Sequence, residues 1–127
     1  MDTILWIAAG LLALVAVVSG FTKTLIPKEK LQQHEGAAWT RTVSPTFVKT
    51  LGLIELLAAI GLIVPPIVDV APVMVPVTAV CWIVLMIGAM IAHGRLGQFK
   101  LVMVNLVYVA LAVFIAVGRF GPESFTA

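Results

Sequence analysis

Three stretches of this chain run without a single charged side chain: Thr3–Phe21 (19 residues), Ala71–Ala92 (22 residues) and Leu101–Gly118 (18 residues). A fourth, Leu51–Val68, holds one charge, Glu55. At about 1.5 Å of rise per residue, each run is about 27–33 Å long as a helix, close to the thickness of a bilayer's hydrocarbon core. The apolar residues follow one another without period-2 alternation, which argues against membrane β-strands. Of the 127 residues, 61% are hydrophobic and only 11% charged. A water-soluble domain of this size could not hide so much apolar surface, and a disordered chain would carry far more charge. The expectation is an all-α, integral-membrane four-helix bundle, one domain over 1–127, with spans at about 3–22, 45–66, 71–93 and 99–119.

The charges between the runs set an expected orientation. Lys23, Lys28, Lys30, Arg41 and Lys49 flank the first connection and Arg95 and Lys100 the third, against Arg119 alone on the opposite side. The positive-inside rule then puts both termini outside and the first and third loops in the cytoplasm. The first span lacks a basic leader and exceeds the roughly 7–15 residues of a signal-peptide core, so it is expected to be retained. The long first loop should carry a short polar surface helix from Pro27 to Glu35, with Gly36 after its end. Ser44-Pro45 reads as the N-cap and first residue of the second span. Pro65-Pro66 should end or kink that span, Asp69–Pro72 should make a tight turn, and Pro76 should kink the start of the third span.

In so apolar a chain, polar groups inside the spans are the informative positions. Glu55 lies six residues past Lys49, about 9 Å into the membrane, where an ionised carboxylate must face the bundle interior, a partner or water. Gly52, Ala58 and Ala59 share its face and permit close helix packing, within the chain or between copies. Glu55 reads either as a proton carrier, general acid or base, or ligand anchor, or as an interhelical lock. His93 ends the third span. It could form an acid–base pair with Glu55, or simply favour the helix C-terminus with Gly94 closing the helix. Asn105 and Tyr108 share a face of the fourth span, as an interhelical hydrogen bond or as one wall of a pocket. Lys23 and Ser19 share a face of the first span, with Lys23 either snorkelling to the headgroups or neutralising Glu55. Lys23, Glu55, His93 and Asn105 all fall in the same half of the membrane, so the four spans are expected to converge on a small buried polar site.

Other chemistries are poorly supported. A net charge of +2 with no long basic tract argues against nucleic acid. Cys81 is the only cysteine, so disulfide chemistry within one chain is excluded. The histidines show neither metal-ligand spacing nor a pair able to hold a haem. Trp6, Phe120 and Phe125 on one side, and Phe21, Trp39, Phe47 and Phe99 on the other, read as interfacial aromatic belts.

Gly20-Phe21-Thr22-Lys23, Leu51-Gly52-Leu53-Ile54-Glu55-Leu56-Leu57 running on to Gly61-Leu62-Ile63-Val64-Pro65, and Gly88-Ala89-Met90-Ile91-Ala92-His93-Gly94-Arg95 resemble, in order and spacing, the DoxX-like family of small four-helix bacterial membrane proteins. The resemblance covers nearly the whole chain. Lys23, Glu55 and His93 match polar positions typical of that family. It implies a multi-pass protein of the bacterial plasma membrane. It also implies association with membrane redox or oxidative-stress complexes, the family being named for a subunit linked to thiosulfate:quinone oxidoreduction. A distant animal branch acts in receptor assembly. This chain has no cysteine pair, so dithiol chemistry does not carry over.

Two functions are thus expected. In one, the bundle binds a small lipophilic molecule of quinone or isoprenoid type. Glu55 and His93 act on its polar end, with Lys23, Ser19, Asn105 and Tyr108 as ligand contacts, and redox-accessory chemistry is open to it. No cofactor is evident beyond such a quinone. In the other, the chain is an assembly subunit or chaperone, or a homo-oligomer, with Glu55 as a polar lock. Transport ranks behind both, since four helices make a poor path alone.

Overall fold

A computed structural model describes residues 1–31, 33, 39–40 and 43–125. Its elements are α1 (Asp2–Leu25), a short α2 (Lys28–Leu31), α3 (Pro45–Val68), α4 (Met74–Arg95) and α5 (Phe99–Phe120). No strand occurs among the described residues. The four long helices are each long and apolar enough to cross a membrane.

Local chemistry explains the boundaries. α1 stops at Leu25 because Ile26 precedes Pro27, which forces it out of helical geometry to φ −88° and ψ 128°. α2 starts one residue after Pro27 and ends at Leu31; Gln33 stands in a turn, and the other residues of the expected surface helix, with Gly36, lie outside the described residues. The Ser44 hydroxyl accepts the Phe47 N–H at 3.1 Å, and Pro45 opens α3, as the Ser-Pro pair predicts. Pro65 and Pro66 lie inside α3, which runs on to Val68. It closes there because Asp69 adopts the left-handed conformation (φ 54°) and the Val70 N–H reaches the Pro65 carbonyl at 3.0 Å. α4 starts at Met74, three residues later than the uncharged run. Pro76 falls in its first turn, where an N–H has no helical partner to lose. Gly94 does not close α4. The helix passes through it, and Gly97 takes the left-handed turn (φ +73°) into α5.

Short turns after α3 and α4 make antiparallel neighbours. α1 packs chiefly on α3 and α4 on α5, while lesser α3–α4 and α1–α5 contacts close the bundle. The two connections rich in basic residues lie at one end of the bundle, here the loop end, and both chain termini lie at the other. The packed core occupies the terminal half. Leu5, Ala8, Ala9, Leu12, Ala13 and Ala16 form one face of α1, against Leu62 of α3, Val75 and Ala79 of α4, and Ala112 and Ile115 of α5. The alanines let the backbones approach closely, which is how helices gain contact where lipid removes the hydrophobic drive. Facing outward are apolar residues such as Leu57, Val84, Val107 and Val117, each over half exposed. That surface suits acyl chains and would be unsustainable in water.

The terminal end carries a clasp. Arg119 is buried and donates to Asp2 Oδ1 at 2.7 Å and to the Glu123 carbonyl at 2.9 Å, although Asp2 and Arg119 stand 117 positions apart. The Phe125 ring lies 3.9 Å from its guanidinium carbon. Trp6 meets Phe125 edge-on. Two of the expected belt aromatics thus pack on a buried cation.

Candidate functional site

The loop half of the bundle is organised by a backbone crossing. Gly20 of α1 and Gly52 of α3 touch. A Cβ on Gly52 would lie 2.8 Å from the Gly20 carbonyl oxygen, and one on Gly20 would lie 2.8 Å from that of Gly52. Only glycine admits so close an approach. Gly52 and Ala59 are both buried within the chain. Because α1 and α3 run antiparallel, Lys23 stands one turn from Gly20 towards the loop end and Glu55 one turn from Gly52 towards the terminal end, and the long lysine side chain reaches back across the crossing.

The crossing brings them together. Lys23 Nζ lies 3.1 Å from both carboxylate oxygens of Glu55. It also donates to Ser19 Oγ one turn back on α1, and it stands 5.9 Å from the centre of the Trp39 ring. Glu55 is 3% exposed. A lone carboxylate at that depth would cost several kcal/mol (about 3–5 by analogy with broken buried pairs), so the ammonium is what lets an acidic residue stay inside α3. The pair is mutually neutralised.

At the loop end of α4, His93 is buried, and its Nδ1 pairs with Gln98 Oε1 at 2.9 Å. The Gln98 N–H also reaches the His93 carbonyl, also at 2.9 Å, so the turn itself fixes the ring. Among the described residues no hydrogen bond or ion pair joins His93 to Glu55. Glu55 pairs with lysine, where an acid–base pair with histidine was one expectation.

Asn105 and Tyr108 share one face of α5. All six expected site residues, Ser19, Lys23, Glu55, His93, Asn105 and Tyr108, line a single cavity of about 750 Å³. Most of the remaining wall is apolar. Phe47 and Leu51 of α3 face Leu85, Met86, Gly88 and Ala89 of α4 across it. The two helices touch at the terminal end, where Gly61 packs on Thr78, and the cavity stands between them in the loop half. From Trp82 to His93 is eleven residues of α4, so the cavity extends about 16 Å along the bundle.

Sequence reasoning missed Trp82, which is 2% exposed and stands at the deep end of this wall. An aromatic residue within an apolar helix carries no contrast that would betray which way it faces. Trp39, an expected belt residue, lines the cavity beside Lys23. Among the described residues, two donors on the wall are buried without a hydrogen-bond partner: Trp82 Nε1 and Asn105 Nδ2. Each such orphan costs about 1–3 kcal/mol, so two on one cavity wall is unusual for a purely structural surface. Cys81 faces outward from α4, away from all of this. Among the described residues, no group of His, Cys, Asp and Glu is placed to hold a metal.

In comparisons with known proteins, the sequence profile of the DoxX-like family matches residues 7–115, the stretch that contains every one of these cavity residues. No curated protein and no solved structure matches the chain.

Proposed function

This chain belongs to the DoxX-like family of multi-pass membrane proteins, and from that premise we propose that it binds a small lipophilic molecule in the cavity of its loop half. The observation that carries the reading is an apolar chamber of about 750 Å³ with a polar cluster on its wall, inside a bundle whose other half is close-packed. Ligand sites have that composition: mostly apolar walls with a few convergent polar groups. A quinone or isoprenoid with one oxygenated end suits the chamber's length and lining. Lys23 and Glu55, satisfied by each other, form a polar stretch of wall with no net charge. His93 and Arg95 stand at the loop end, and Tyr108 and Asn105 complete the wall from α5.

The basic residues of the two loop-end connections support placing that end in the cytoplasm, with both termini outside. The intrachain ion pair favours a second role for Glu55, as the clasp between α1 and α3. Clasp and site are compatible, since the clasp shapes the wall.

Native mass spectrometry of the protein released from its own membrane in mild detergent tests the reading. Wild type is expected to retain a small molecule. The Gly88→Phe variant, whose new side chain starts from open space at the exposed rim of the cavity lining, is expected to obstruct the cavity and lose the molecule while keeping its fold. Spectra that are empty for wild type, with partner proteins in place of small molecules, would overturn the reading in favour of an assembly role.

A further inference from the structure

The two orphaned donors carry a more specific conclusion about the ligand. Trp82 is 2% and Asn105 8% exposed, both line the cavity, and neither Nε1 nor Nδ2 has a partner among the described residues. An indole N–H and an amide N–H can only donate. Lys23 and Glu55 are already bound to each other, and the other full charge on the lining, Arg95, is exposed at the loop end of α4, so the deeper part of the chamber offers no uncompensated charge to an ionic headgroup. What the two buried donors lack is an acceptor. We propose that its ligand is an uncharged lipophile bearing carbonyl-type oxygens, and that Trp82 Nε1 and Asn105 Nδ2 are the donors that select it. The proposal rests on the cavity being a ligand site.

The donors stand at different levels. Asn105 lies six residues into α5 from Phe99, about 9 Å from the loop end. Trp82 lies thirteen residues from Arg95 at the same end, about 20 Å deep. A carbonyl can therefore be held near the middle of the chamber or at its floor, and a molecule carrying two can use both stations. A hydrocarbon of the same shape fills the chamber equally well but leaves both donors unpaired. Selection then comes from relief of the unpaired groups, the mechanism by which hydrogen-bonding sites reject analogues that lack the polar atom.

The test uses the full chain in lipid nanodiscs and two probes of matched skeleton: a long-chain methyl ketone with a carbon-13 carbonyl, and the corresponding alkane. Infrared spectroscopy reads the ketone's C=O stretch, and equilibrium binding reads both probes. Wild type is expected to shift the bound carbonyl to lower frequency than in lipid alone. Trp82→Phe and Asn105→Leu should each weaken the ketone about fivefold, the equivalent of one hydrogen bond. The double variant should lose the shifted band, with alkane binding unchanged throughout. Indole nitrogen-15 spectra add a check that a structural role would not move: the Trp82 N–H resonance shifts with ketone and not with alkane. If ketone and alkane bind wild type alike, with no shifted band, the acceptor proposal is overturned while the ligand site stands. If neither probe binds, or Gly88→Phe leaves binding unchanged, the site itself is refuted.

Discussion

Substituting Gly52 by alanine isolates the feature on which the whole loop half depends. The added Cβ would sit 2.8 Å from the Gly20 carbonyl oxygen, 2.8 Å from Lys23 Cβ and 2.9 Å from Thr24 Cγ2. Ordinary contact begins at 3.4 Å, so α1 and α3 must separate by about 0.6 Å (3.4 minus 2.8) at the crossing. Two of the three obstructing atoms, a main-chain oxygen and a Cβ, cannot rotate away. Overpacking of this kind costs about 1–3 kcal/mol. The separation also lengthens the two 3.1 Å contacts between Lys23 and Glu55, because the lysine side chain starts beside Gly52 and spans the crossing to reach the carboxylate. Gly88→Ala is the matched control, because nothing lies within 4 Å of its new Cβ. Reversible unfolding in mixed micelles, followed by circular dichroism, should place Gly52→Ala about 1–3 kcal/mol below wild type and Gly88→Ala within about 0.5 kcal/mol of it. Equal effects of the two substitutions, or none from Gly52→Ala, would refute the backbone crossing.

Three further outcomes are expected. Lys23→Met should destabilise more than Glu55→Gln, by about 3 kcal/mol or more against about 1–2, because it strands a carboxylate at 4% side-chain exposure whereas Lys23, at 17%, can still reach the loop end; the Lys23→Met/Glu55→Leu double variant should recover much of the loss, all read by the same unfolding assay. Asp2→Asn should cost about 0.5–1 kcal/mol, since Asp2 is more than half exposed, and Phe125→Ala a similar amount through loss of the cation–π contact; proteolysis of the N-terminal turn should quicken in both. Gly118→Leu should disrupt the terminal half, because even a Cβ there lies 2.7 Å from Leu5 Cδ2, and a lower unfolding midpoint would register it.

The spans were legible because charge-free runs of bilayer length have few other solutions. Their ends were legible where a cap or a proline acts locally, as at Ser44-Pro45 and before Pro27. They were less so where long-range packing decides: α3 runs through Pro65-Pro66 to Val68, and α4 begins only at Met74. The polar residues of the cavity stood out for a simple reason. A lysine, glutamate, histidine or asparagine inside an apolar helix is costly, so each marks an inward face, and the connectivity puts them at one end. Lys23 and His93 were both open as partners for Glu55, and the structure pairs it with Lys23. Lys23 rather than His93 meets Glu55 because the Gly20–Gly52 crossing turns those two faces together, and no local pattern encodes that pairing. Trp82, Trp39 and Arg119 illustrate the same boundary. Their sites depend on residues far away in the chain, down to the pairing of Arg119 with Asp2.

The most direct test of the central claim is photo-cross-linking in membranes with an alkyl probe bearing a diazirine, mapped by peptide mass spectrometry. A ligand chamber predicts labelling at inward-facing Met86, Leu51 and Tyr108 as well as at lipid-facing Leu57 and Val107, with the inward set alone abolished by Gly88→Phe. Labelling confined to the lipid-facing residues in wild type would contradict it.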